Sequence, residues 1–174
     1  MLQKAGQLMA QARESRFADP DGAMRQLEEA ASICRQGLSA TLAAMGQIDR
    51  DAGRVEQALA RYAQAAAAIR GADRGRYAHH IRHIADIHLD ANRPDLARPR
   101  FEEALAIYRA EPGTSPLDLA NAIRGYAILT AAAGETEASR ALWTEAKALY
   151  ESAGVTAGSE ECERRLAALP ASAP

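Results

Sequence analysis

All four histidines of the chain fall within ten residues: His79, His80, His83 and His88. On a helix His79, His83, Asp86 and Asp90, spaced by four, three and four, share a wedge of about 60°. Two imidazoles at i and i+4 with a carboxylate one turn further on are donor types that hold zinc. The same pattern also makes an ordinary polar helix face. Neither a His-Glu-x-x-His sequence nor a nearby cysteine adds a ligand, so no metal is assigned and a His/Asp metal-binding protein remains a distant alternative. Nucleophile chemistry is not written into the chain either. It has no Gly-x-Ser-x-Gly, no glycine-rich phosphate loop, and no cysteine beside a histidine. The expectation is a non-catalytic protein without a cofactor.

What positions these side chains is a skeleton that occurs three times. It reads Leu42-x2-Met45-Gly46-x2-Asp49, Gly53, Ala58-x3-Tyr62-x2-Ala65, then Ile81-x2-Ile84-Ala85-x2-His88, Asn92, Ala97-x3-Phe101-x2-Ala104. The third copy is Ile123-x2-Tyr126-Ala127-x2-Thr130, Gly134, Ser139-x3-Trp143-x2-Ala146. Gly46, Ala85 and Ala127 are small where one helix must approach another closely. Gly53, Asn92 and Gly134 suit the left-handed conformation that ends a helix. Tyr62, Phe101 and Trp143 are large knobs one turn beyond a small residue, which makes them core. His88 stands between paired helices and is expected to be buried and neutral.

This skeleton resembles the tetratricopeptide repeat, and the resemblance covers residues 39–152 well and 4–36 loosely, through Ala23-x3-Leu27-x2-Ala30. The turn residues are 39 and 42 positions apart, against about 34 in the standard repeat. That lengthening resembles the arrays of kinesin light chains and of bacterial adaptors. The extra residues fall in 71–75 and 111–116, between one hairpin and the next. The resemblance implies an all-α, right-handed solenoid of about four antiparallel helix hairpins, 2–36, 39–70, 76–110 and 116–152. A capping helix would follow at 159–169, with Ser159 as its cap, and then a disordered tail at 170–174. Residues 1–169 are expected to form one domain. Pro99 falls inside the expected helix 94–110 and should either kink it or start the helix proper; the kink is favoured, because Ala97-x3-Phe101 keeps helical spacing.

The resemblance also implies a binding groove lined by the first helix of each hairpin. Its lining would be His79, Arg82, His83 and Asp86 from the middle repeat, Asn121 and Arg124 from the next, and Gln47 and Arg50 from the preceding one. Arg82 and Arg124 occupy equivalent places. Two guanidiniums and an amide could hold a carboxylate bidentately, so the implied ligand is a protein or peptide partner offering an acidic group. Self-association of the array is the alternative, in the form of a weak homo-oligomer.

Composition narrows the classes further. Lys+Arg total 21 against 23 Asp+Glu, a net charge of −2 that gives no global attraction to nucleic acid or anionic membrane. No apolar run approaches the roughly 20 residues of a membrane span, and residues 1–15 lack the apolar stretch of a secretion signal, so the cytoplasm is the expected location. Aromatics are 5% and alternating β-branched runs are absent, which points to helix throughout. Cys34 and Cys162 are too far apart in a stacked array for a disulfide.

Overall fold

The computed structural model describes residues 1–170; the expected tail at 170–174 lies, beyond Pro170, outside them. The described residues form eight α-helices and no strand, the all-α class expected from the sequence. Two compact units divide the chain, Met1–Asp73 and the part from Arg74 onward, where the sequence reading takes 1–169 as one domain.

The first unit holds α1 (Leu2–Ser15), α2 (Pro20–Asp51) and α3 (Val55–Ile69). Asp19 starts α2 by accepting a hydrogen bond from the Gly22 amide at 2.9 Å, with Pro20 at the first helical position. The expected separation of hairpins 2–36 and 39–70 is not found, because α2 runs 32 residues through Gly37 without a break. A lone glycine costs a helix only about 1 kcal/mol, and packing on both halves of α2 outweighs it. Against the N-terminal half lies α1, with Lys4 paired to Glu29 at 2.6 Å. Against the C-terminal half lies α3: the Ser39 hydroxyl donates to the Ala65 carbonyl at 3.0 Å, and Gly46 faces the Tyr62 ring.

The second unit stacks α4 (Arg74–Asp90), α5 (Pro94–Ala110), α6 (Pro116–Ala132), α7 (Thr136–Ser152) and α8 (Thr156–Ala168). Phe101 joins Ala85, Ala97 and Leu129 in its core, and Trp143 is buried as well. Ser139, which stands where the repeat has alanine, is buried and donates to the Ala127 carbonyl at 3.0 Å, tying α7 to α6.

The turn residues behave as their types require. Gly53, Asn92, Gly134 and Gly154 have φ of 70°, 55°, 78° and 70°. After each, the next amide reaches back to a carbonyl in the last helical turn: Arg54 to Asp49, Arg93 to His88, Glu135 to Thr130, Val155 to Tyr150. This is the bond pattern of a Schellman ending.

Three details differ from expectation or settle it. Pro99 does not start its helix, since α5 begins at Pro94 and passes through it. The last helix begins at Thr156 rather than 159, and Ser159 donates to the Thr156 carbonyl instead of capping. The buried histidine is His80, with 2% exposure, while His88 is only half-buried.

Candidate binding face

Six of the eight expected groove residues lie on α4 and α6 of the second unit: His79, Arg82, His83 and Asp86 on one, Asn121 and Arg124 on the other. Gln47 and Arg50 lie on α2 of the first unit. Gln47 is engaged there, donating to Asp51 at 2.7 Å and accepting from the Tyr62 hydroxyl at 3.1 Å.

The polar strip of α4 is a chain of contacts. Arg82 Nη1 donates to Asp86 Oδ2 at 2.6 Å, and its Nη2 lies 2.8 Å from His83 Nε2. His83 Nε2 is in turn 3.2 Å from His79 Nε2, and His79 Nδ1 lies 3.5 Å from Asp118 Oδ1 on α6. That contact, with the Arg82 charge, holds the Asp118 carboxyl below the usual aspartate range against the opposing effect of burial. Arg82 is 8% exposed. Arg82, expected to line the groove beside Arg124, is therefore closed off, and its charge is spent inside the protein.

This geometry argues against the zinc reading. The Arg82 guanidinium places a donor and a positive charge beside the imidazole nitrogen that a metal would need. Among the described residues, no three His, Cys, Asp or Glu side chains are grouped to hold an ion.

Arg124 differs. It donates from Nε to Glu161 Oε2 at 2.7 Å and from Nη2 to Glu161 Oε1 at 2.9 Å, and the pairing lowers the Glu161 carboxyl below the glutamate range. Glu161 belongs to α8, so the carboxylate expected from a ligand is supplied by the chain itself. Arg124 stays part-exposed. Asn121 accepts from the Tyr150 hydroxyl at 2.8 Å, and burial pushes the Tyr150 phenol up to about 12. Tyr108, equally pushed up to about 12 by burial, sits near Arg82.

Asp118, Glu161, Tyr108 and Tyr150 are the residues that sequence reasoning did not place on this face. Repeat arithmetic carries the signal. Tyr108 and Tyr150 are 42 positions apart, as are Arg82 and Arg124, and the carboxylates follow the two arginines by 36 and 37 residues.

Residues 37–110 match the family model of the tetratricopeptide repeat. That segment carries tetratricopeptide repeats. The crystal structure of BtubC (BKLC) from P. vanneervenii is similar in fold, with a TM-score of 0.57 at 13% sequence identity over 95% of this chain and 88% of that one. No curated protein sequence matches. Tetratricopeptide repeats indicate a protein–protein interaction or scaffold module. No helix among the described residues is long and apolar enough to cross a membrane.

Proposed function

We propose that this repeat protein is a non-catalytic adaptor of the cytoplasm whose α4/α6 face receives an acidic segment of a partner protein. The Arg124–Glu161 pair carries this reading. It is a two-point grip on a carboxylate presented by a helix, the chemistry that arginine performs and lysine does not, and the partner's carboxylate takes the place of Glu161 in it. Asn121 lies one turn away and adds an amide that both donates and accepts. His79, His83 and Asp86 continue the polar strip, while Arg82 is a buried organiser of it. Gln47 and Arg50 are not needed for this reading.

The test is capture of the partner from lysate, followed by titration with Arg124→Ala and Arg124→Lys proteins whose circular dichroism is intact. A charged hydrogen bond contributes about 1.5–3 kcal/mol, so affinity should fall roughly tenfold or more in both. Wild-type affinity in either variant would move the binding surface elsewhere. Self-association is a second reading, favoured by the apolar surface that the first unit leaves exposed.

A further inference from the structure

The exposed large apolar side chains are unevenly distributed. Leu96 and Leu117 are the two in the second unit, while nine belong to the first, from Met1 to Ile48. On α2 they follow a rule. Met24, Ala31, Leu38 and Met45 recur every seven residues, and Leu27, Cys34, Thr41 and Ile48 recur every seven, three positions later. All eight are exposed. A 3-4 alternation over 25 residues is the seam of a left-handed helix pair, here about 36 Å long. On an isolated surface helix it has no purpose.

Comparison between repeats shows what this seam lacks. In repeat register Ile48 corresponds to Ile87 and Leu129, which are 2% and 1% exposed, while Ile48 is 63% exposed. Thr41 corresponds to His80 and Ala122, both buried. Leu129 packs on the core of the preceding hairpin, with Phe101 and Ala97. Because α2 continues unbroken towards its N-terminus, no preceding hairpin covers the same face of the first repeat. The stripe is a stacking face made for another helix.

We propose that the helix covering it is α2 of a second copy of this chain, laid antiparallel so that Leu27 meets Leu38 of the other copy. The charges beside the seam fit that arrangement. Glu28 and Arg35 flank it on one side, one heptad apart, and among the described residues neither is in an ion pair. Antiparallel pairing brings each Glu28 within a turn of the other copy's Arg35, twice by symmetry, as an isologous interface requires. Near the start of α2 the seam widens into a cavity of about 400 Å³ with Met9, Arg13, Met24 and Leu27 among its lining, which admits the side chains of the second helix. This specifies the surface for the self-association reading and rests on it.

The test is sedimentation equilibrium of the full chain. The wild type should be a dimer, and Leu27→Glu/Leu38→Glu, at two exposed positions, should raise the dissociation constant roughly a hundredfold or more without loss of helix. Glu28→Arg should weaken the dimer, and Glu28→Arg/Arg35→Glu should restore it. A wild type that stays monomeric at every concentration overturns the proposal and the self-association reading together, leaving the seam to another protein. A dimer that survives the double leucine substitution keeps self-association but overturns this surface. Failure of the charge swap to restore the dimer overturns the antiparallel arrangement, since a parallel pair does not bring Glu28 beside Arg35 of the other copy.

Discussion

The guanidinium of Arg124 on α6 and the carboxylate of Glu161 on α8 meet at two points, 2.7 and 2.9 Å. Much of what keeps α8 docked is of this kind. Lys147 reaches Glu163 at 2.7 Å, and the Arg165 guanidinium lies 5.8 Å from the centre of the Trp143 ring. Only Cys162 of α8 is buried, and the helix begins without a side-chain cap or an acidic residue in its first turn. A helix with one buried side chain and part-exposed ion pairs should open more readily than the rest of its unit.

Thiol labelling measures that opening. In a Cys34→Ser background Cys162 is the sole thiol, fully buried and with its ionisation pushed up by burial, so it should react slowly. Removing the pair with Glu161→Gln should accelerate labelling several-fold, since a part-exposed pair contributes about 1 kcal/mol or less. Equal rates in both proteins would mean that apolar contact alone holds α8.

Much of the fold is legible in the sequence because its signals are local. The large residues Tyr62, Phe101 and Trp143 are buried, and Gly53, Asn92 and Gly134 adopt positive φ, as their places in the skeleton imply. Continuity of α2 is not legible at Gly37, because a weak local breaker there yields to packing by α1 and α3, which lie elsewhere in the chain. The face on α4 and α6 is half legible. Equivalent arginines can be read by superposing repeats, but which one is buried depends on what packs over it. Arg82 is enclosed with Tyr108 nearby, whereas Arg124 faces α8, whose carboxylate is 37 residues away in sequence.

Close approach in the second unit is set by Gly125 as well as Ala127. A β-carbon on Gly125 would lie 2.5 Å from the Phe101 ring and 2.9 Å from Asp86 Oδ1, and Phe101 is fully buried with no room to retreat. Gly125→Ala should therefore destabilise the unit by about 1–3 kcal/mol, seen as a lower thermal midpoint. Gly46→Ala, where the Tyr62 ring is 2.9 Å away, should act in the same direction in the first unit. Unchanged midpoints would contradict the helix spacing.

Acid should loosen the second unit. Glu161 is lowered chiefly by its hydrogen bonds from Arg124, and Asp118 chiefly by its hydrogen bond with His79. A carboxyl lowered in the folded state adds stability that is complete above its unfolded value, and that stability is lost as pH falls through the folded one. The thermal midpoint should change little on these groups' account from pH 7 to about 5, then drop below about pH 4. The Glu161→Gln/Asp118→Asn protein should show a smaller drop. An equal drop would assign the acid sensitivity to other carboxylates.

Two glycines should respond to the same substitution with opposite signs. Gly134 ends α6 at φ 78°, in the left-handed region where a β-carbon is opposed by the backbone. Gly134→Ala should cost about 1 kcal/mol for that reason, although nothing lies within 4 Å of the added carbon. Gly37 lies within α2, and the nearest atom to its added carbon is Leu2 Cδ2 at 4.0 Å, an ordinary contact. Gly37→Ala should therefore stabilise the first unit by about 0.5–1 kcal/mol, the difference in helix propensity. Circular dichroism melts of the two variants decide the matter. A destabilising Gly37→Ala would mean that the chain bends at residues 36–39 after all, which would also break the α2 seam on which the proposed dimer depends.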